Sequence, residues 1–219
     1  MKIEENIKWI GHASFVIESS EQRIYIDPFR LNGEYPHADI ILITHPHQDH
    51  LSIEDINKIA DGDTRIYLPM DSVGKIEKGR AKGVKPGEEH HDSGFIFKTV
   101  PAYNKVEARL HAHPRKNGWV GYIAHIGGKS LYHAGDTDLI DEMSGIKADM
   151  SLLPMGGTYT MNVEEAIEAA GKITSETYAP MHYKALLGME ESKKAERLFL
   201  EKVKKGVILD EIQEAQYSF

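Results

Sequence analysis

The chain has 219 residues and a formal net charge of -8 at pH 7, and it contains no cysteine. The absence of cysteine excludes disulfides, thiolate nucleophiles and thiolate metal ligands, so any metal would have to be held by histidines and carboxylates. Without a membrane-length apolar stretch, a signal peptide or clustered Lys and Arg, the chain is predicted to be cytoplasmic with no membrane partner, and a nucleic-acid partner is disfavoured.

The length suits one domain, predicted to span residues 1–219, and its beginning predicts strands. Alternation of apolar and less apolar residues over 7–17 indicates one strand, and a second strand over 23–27 pairs with it across a turn at 19–22. The second strand stops at Asp27-Pro28, because proline punctuates both strands and helices. Residues 40–44 predict a short strand that is fully buried.

Helices and strands alternate in the rest of the chain. Ser52 with Asp55, and Asn162 with Glu165, are capping signatures that predict helices from Ser52 to about Ala60 and after Asn162. Further helices are predicted at 72–77 and 190–204, and further strands at 65–68, 94–103, 119–126, 129–133, 149–153, 177–180 and 207–210. This order predicts an α/β fold with two layered sheets and helices outside them.

Three histidines and an aspartate follow the buried strand directly, in the stretch HPHQDH. His45 and His47 are alternate residues of an extended segment, so both rings can reach one ion. Asp49 and His50 come after the chain turns and can face a second ion. A polar loop with surface histidines is the competing interpretation, and four such residues at the end of a buried strand argue against it.

Later strand ends supply the remaining candidate ligands. His113 could complete a set of three histidines on the first ion, and His182 could join Asp49 and His50 on the second. Asp136 is the carboxylate that could bridge both ions. Nitrogen and oxygen ligands suit Zn²⁺, Mn²⁺ or Fe, with Zn or Mn favoured. Two such ions about 3.5–4 Å apart form a hydrolytic device, because a water between them loses its proton near neutral pH.

Several motifs resemble the metallo-β-lactamase fold superfamily. In chain order they are IDPF at 26–29, HPHQDH at 45–50, a lone His, HAGDT at 133–137 and MHY at 181–183. The stretches WIGHASFVI, VPAYN, HPRKNGWVGY, YHAGDTD and LLPMGGTYTMNVEEA are similar to the UPF0173 type of metal-dependent hydrolase, a relative of the ascorbate-6-phosphate lactonase-like group. The resemblance implies a four-layer αββα sandwich of two mixed sheets flanked by helices, with a dinuclear site at one edge of the sheets.

Carried over by position, the resemblance implies a specific ligand set. Ion one would take His45, His47 and His113; ion two would take Asp49, His50 and His182; Asp136 would be shared. Asp49 is also placed to accept or relay a proton during turnover. Asp27 matches the first motif, and its implied role is to orient the histidine loop by hydrogen bonds.

Some positions leave alternatives open. His111 competes with His113 as the ligand, and the His-Pro pair before KNGWVGY favours His113. His12 is either a core histidine or a residue that supports the site, and His133 supports the site rather than binding metal. Gly156-Gly157 marks either a tight backbone approach near the pocket or a plain turn. The histidines assigned to the surface or to packing are His37, His90, His91 and His125.

The predicted activity is a hydrolase that uses a dinuclear metal-bound hydroxide to cleave a small phosphodiester, lactone or other ester. A nuclease of the same fold is one alternative, and the charge of -8 disfavours it. A sensor that keeps the metals without turnover is another. The predicted partner is a small-molecule substrate, the substrate-binding residues are unknown, and a homo-oligomer is left open.

Overall fold

The computed structural model describes residues 3–19 and 22–212. Within them the chain forms two compact units. Of the described residues, the first unit holds 3–19, 22–85 and 210–212, and the second unit is Pro86–Leu209. Each unit is built on one six-stranded sheet. The prediction of a single hydrolase domain over 1–219 stays a prediction.

The sheet of the first unit has its strands in chain order. They are β1 (Ile7–Gly11), β2 (Ser14–Glu18), β3 (Arg23–Ile26), β4 (Ile40–Leu42), β5 (Arg65–Pro69) and β6 (Arg80–Val84). Strands β1 to β3 pair antiparallel and β3 to β6 pair parallel. Short 3-10 helices lie at Ile3–Asn6 and Met70–Lys75.

Helix α1 (Ile53–Ile59) covers part of this sheet. Its buried Ile56 and Ile59 join one hydrophobic cluster with Val16, Ile41 and Ile66 of the strands. The side chain of Ser52 accepts a hydrogen bond from the backbone of Asp55, which confirms the predicted helix start. Because β4 is buried along its whole length, the residues after it leave the sheet from a rigid base.

The sheet of the second unit repeats the mixed pattern. Its strands are β7 (Glu89–Asp92), β8 (Phe95–Pro101), β9 (Val120–Ile126), β10 (Lys129–His133), β11 (Lys147–Pro154) and β12 (Thr174–Met181). They lie in sequential order, antiparallel from β7 to β10 and parallel from β10 to β12. Short 3-10 helices lie at Glu107–Arg109, Arg115–Asn117 and Asp141–Gly145.

Helices α2 (Val163–Lys172) and α3 (Lys184–Lys202) belong to the second unit, and α2 contacts β11, β12 and α3. Asn162 and Glu165 form the predicted capping box at the start of α2. Gly188 interrupts α3 with a non-helical backbone, so its regular part begins close to the predicted residue 190. No helix in the described part of the chain has the length and apolarity to cross a bilayer. Two mixed sheets with flanking helices confirm the predicted fold class.

The prediction of one strand over residues 7–17 is wrong. Gly11 and His12 have φ of 136° and 54°, and this left-handed turn folds the segment into the β1–β2 hairpin. The alternation of apolar and less apolar residues is still explained, because Trp9 pairs with Phe15 across the hairpin and paired residues lie on the same face of a sheet. The β2–β3 hairpin is confirmed. Residues 20 and 21 of its predicted turn lie outside the described residues.

The prediction of a last strand over residues 207–210 is also wrong. Residues 207–210 are irregular, and isolated bridges flank them on either side, between Gly206 and Tyr178 and between Glu211 and Trp9. Its apolar residues therefore reflect packing beside a strand rather than membership of a sheet. Strands β6 and β7 were not predicted. Each lies at an edge of its sheet, and apart from the buried Val84 their side chains alternate between exposed and half-buried, so they carry no apolar periodicity.

Candidate metal centre

Asp27 organises the histidine loop of the first unit. It follows β3 with φ of 46°, and its fully buried carboxylate accepts hydrogen bonds from the Thr44 backbone (2.8 Å) and the Thr44 hydroxyl (2.6 Å). The same carboxylate lies 2.7 Å from Nδ1 of His50. Because an ionised carboxylate only accepts, the Nδ1 atom of His50 carries the hydrogen and the ring directs Nε2 the other way.

His45 and His47 turn ring nitrogens toward each other. Thr44 gives its hydroxyl hydrogen to Asp27, so it accepts from Nδ1 of His45 at 3.0 Å. Nε2 of His45 then lies 3.0 Å from Nδ1 of His47. The loop stays compact because the His50 backbone N–H donates to the carbonyl of His47 at 3.0 Å. Two imidazoles are thereby aimed at one point, as metal ligation requires.

Asp49 forms a second group with His50 and His12. Its Oδ2 lies 2.9 Å from Nε2 of His12 and 3.8 Å from Nε2 of His50. Each of these three residues offers one ligand atom within 4.8 Å of the others. The Trp9 indole donates to the carbonyl of His12 and holds it in its left-handed conformation. His12 thus reaches the histidine loop from a strained turn rather than from the predicted strand.

The second unit gathers three further candidates. His113 lies in the loop between β8 and β9, Asp136 follows β10, and His182 follows β12; all three are buried. Nε2 of His113 lies 3.3 Å from Oδ2 of Asp136, and Nε2 of His182 lies 3.2 Å from the same oxygen. Two imidazole nitrogens therefore converge on one carboxylate oxygen.

The structure also places the residues that the sequence left open. His111 is exposed, whereas His113 is buried. His133 is buried, and its Nδ1 accepts a hydrogen bond from the Gly135 backbone at 3.2 Å. A β-carbon on Gly156 would lie 2.4 Å from the carbonyl oxygen of His182, so Gly156 makes a tight backbone approach. The remaining histidines are exposed or half-buried: His37, His90, His91 and His125.

The donor atoms of both units suit a divalent cation. They are imidazole nitrogens and carboxylate oxygens, the ligands that Zn²⁺, Mn²⁺ and Fe share. Nε2 of His113 and Nε2 of His182 each lie close to Oδ2 of Asp136, and two imidazole nitrogens with a carboxylate oxygen are a donor set that suits such a cation. The residues therefore fit the metal that the motifs imply.

Comparisons with known proteins identify the family. The sequence model of the beta-lactamase superfamily domain matches residues 6–182. The UPF0173 metal-dependent hydrolase of Pyrococcus abyssi is 33% identical over 196 residues, which cover 81% of this chain and 84% of that protein. The chain belongs to this family of metal-dependent hydrolases.

Solved structures agree with the assignment. A metal-dependent hydrolase from Parabacteroides distasonis has a TM-score of 0.82 at 32% identity. The match covers 94% of this chain and 93% of that one. The metallo-beta-lactamase fold protein YhfI from Bacillus subtilis has a TM-score of 0.74 at 14% identity. The match covers 93% of this chain and 95% of YhfI. The second likeness shows the fold alone, and it is the predicted metallo-β-lactamase fold.

Several supporting residues of this UPF0173 chain were not predicted. Asn104 holds His113, and Thr44 connects His45 to Asp27. Asn104 belongs to VPAYN, a stretch that carried the family resemblance but was given no role. The one available signal was its position, a polar residue shortly after a strand, which is where functional groups collect.

Proposed function

We propose that the chain cleaves a small phosphodiester, lactone or other ester with two divalent ions, Zn or Mn. The proposed ligands are His45, His47, Asp49, His50, His113, Asp136 and His182. The observation that supports the proposal most is in the second unit, where the Nε2 atoms of two buried histidines approach the same oxygen of Asp136. A carboxylate in that position is suited to bridge two ions.

The proposed division of ligands follows the sequence motifs. His45, His47 and His113 bind one ion, Asp49, His50 and His182 bind the other, and Asp136 is shared. When bound, two such ions lower the pKa of a water, polarise the ester and stabilise the leaving oxygen. The compact HPHQDH loop and the convergence on Asp136 support this division from each unit separately.

The chain's own residues have separate tasks in this proposal. Asp27 fixes His50 and Thr44, and through Thr44 it orients His45. Asp49 accepts or relays a proton, since its side chain is 39% exposed while the ligand histidine beside it, His50, is fully buried. His12 supports Asp49 by a hydrogen bond, and His133 supports the segment before Asp136 by its bond with the Gly135 backbone, both without binding metal. A cytoplasmic location and a small-molecule partner stay predictions, and the oligomeric state stays open.

The test combines metal analysis with a substrate screen. We expect purified protein to contain two equivalents of metal and to hydrolyse a generic phosphodiester, lactone or thioester in Mn²⁺ or Zn²⁺. His45→Ala and Asp136→Ala should reduce turnover to background, because each removes a proposed ligand. His125→Ala is the matched control, since His125 is an exposed histidine on β9 and should leave turnover unchanged.

The outcomes separate the competing functions. Normal turnover by either ligand variant would contradict the assignment of roles. Bound metal without turnover on any ester would favour the sensor. Salt-dependent binding of RNA would favour the nuclease, because neutralising phosphates releases counterions.

A further inference from the structure

The strongest unassigned feature is a buried polar network in the second unit. We infer that Asn104 is a positioning residue for His113. It holds the His113 ring with its hydrogen on Nδ1, so that Nε2 points toward Asp136. Asn104 is in turn held in place by Asp138, Arg109 and Glu165. The functional consequence rests on the proposed metal site. The geometry itself belongs to this chain's own residues.

The orientation of the Asn104 amide follows from its neighbours. Its Nδ2 atom donates to the Asp138 carboxylate at 3.0 Å and to the Tyr159 carbonyl at 2.9 Å, and both of these groups can only accept. Its Oδ1 atom accepts from the backbone N–H of His113 at 3.0 Å. A flipped amide would set like groups against each other at all three contacts, so the flip is excluded.

The amide orientation determines the His113 tautomer. Nδ1 of His113 lies 2.9 Å from Oδ1 of Asn104, an atom that can only accept, so Nδ1 carries the hydrogen. Nε2 then presents its lone pair toward Asp136 at 3.3 Å. The backbone N–H of Asn104 also donates to the His113 carbonyl, at 2.8 Å, which fixes the two residues side by side. Metal-binding histidines are held in this way by partners on the far ring nitrogen.

A chain of buried charges holds Asn104. Asp138 is fully buried and lies 2.8 Å from Nε of Arg109, through the same oxygen that accepts from Asn104. Arg109 makes a two-pronged contact with Glu165 at 2.8 and 2.6 Å and donates to the Thr160 carbonyl. The hydrogen bond to Glu165 raises the pKa of Arg109, so the guanidinium stays charged at every pH at which the protein would work. A planar cation that contacts two carboxylates, one of them through two hydrogen bonds, is a rigid connection between them.

The network ties together the loops that carry the second unit's candidate ligands. The other oxygen of Asp138 accepts from the backbone of Lys105 and Val106, so the loop leading to His113 is fastened to the segment that contains Asp136. Asn104 and Arg109 each reach a carbonyl of the loop after β11, at Tyr159 and Thr160. Removing Asn104 would therefore loosen His113 specifically while leaving both sheets intact.

The first test examines wild-type protein without metal. Long-range ¹H–¹⁵N spectra of metal-free protein report which ring nitrogen of each histidine carries hydrogen, and His113→Gln assigns the signals. We expect hydrogen on Nδ1 of His113. A ring whose Nδ1 carries no hydrogen would overturn the inference. This measurement needs neither bound metal nor an active enzyme, so its result does not depend on the proposed function.

The second test measures metal affinity in a variant. Asn104→Leu keeps the side-chain shape and removes the acceptor, and we expect Zn²⁺ affinity to fall about 10- to 100-fold in a chelator competition. Thr64→Val is the matched control, because it removes a buried hydroxyl of the first unit that bonds to the Ala38 carbonyl. Equal affinity of Asn104→Leu and wild type would overturn the inference. Wild type that binds no metal would instead contradict the proposed function.

Discussion

Gly156 is a residue where one added methyl group would disturb a candidate ligand. A β-carbon there would meet the His182 carbonyl at 2.4 Å and Cδ1 of Leu186 at 2.5 Å. We predict that Gly156→Ala lowers the free energy of unfolding by about 1–3 kcal/mol, because the backbone must shift to relieve the overlap. It should also weaken metal binding, because that shift moves His182. Urea unfolding and a Zn²⁺ titration measure the two effects.

Gly157→Ala is the control for that prediction. Gly157 has φ of 78°, and a β-carbon there would lie 3.5 Å from the Asn162 side chain, an ordinary contact. The variant should lose about 1–2 kcal/mol to left-handed strain and keep wild-type metal affinity. Equal metal affinity of Gly156→Ala and Gly157→Ala would contradict the role given to the close approach.

At the scale of single residues, the sequence identified the candidate ligands better than the residues that hold those ligands in place. HPHQDH is a local pattern, so its histidines and aspartate stand out without knowledge of the fold. Asn104 and Asp138 are 34 positions apart, and neither has an unusual sequence context. Their contact depends on how β8 and β10 are placed in the sheet, which residue patterns alone do not specify.

Among the elements, α2 offers a clean test of local sequence chemistry. The Asn162 side chain accepts from the Glu165 backbone at 2.9 Å, and the Glu165 side chain accepts from the Asn162 backbone at 2.8 Å. We predict that Asn162→Ala lowers the free energy of unfolding by about 1 kcal/mol, because it leaves a helix N–H without its cap. Glu164→Ala, at an exposed position, should change it by less than about 0.5 kcal/mol. Identical unfolding midpoints for Asn162→Ala and wild type would contradict this assignment.

The elements also show where periodicity misleads. Alternation over residues 7–17 fits one strand and a tight hairpin equally well, since paired residues in antiparallel strands share a face. Only the left-handed turn at Gly11 and His12 distinguishes them, and few residues other than glycine adopt a positive φ. Capped helices were predictable because a cap and its partner are three residues apart. The edge strands β6 and β7 were not predictable, because their mostly exposed or half-buried side chains carry no apolar periodicity.

For the molecule as a whole, the lowered pKa of carboxylates such as Asp55 indicates how the free energy of unfolding changes in acid. Burial alone would raise the pKa of Asp55. Hydrogen bonds from Lys58, Ser52 and the Arg30 backbone lower it by more, so the pKa lies below its ordinary value of 3.8. A lowered pKa in the folded state stabilises the protein above the unfolded value and loses that contribution as the pH falls. The free energy of unfolding should therefore decline below about pH 4.

Asp55→Asn tests this acid dependence. The variant should be less stable at neutral pH, because the hydrogen-bonded charge is lost, and its stability should fall less steeply below about pH 4. Urea unfolding of metal-free protein across the acid range measures both curves. Parallel curves for variant and wild type would show that Asp55 does not contribute to the acid response.

The mixed sheet of the second unit has a consequence for the order of assembly. Asp136 and His182 follow β10 and β12, two strands that are joined through β11 by parallel pairing. Parallel pairs need long crossovers and form slowly, so these two donors meet only when folding is nearly complete. The HPHQDH segment needs no such pairing, because its three histidines and its aspartate lie within six consecutive residues. The candidate ligands of the two units would thus come together at different stages of folding, those of HPHQDH first.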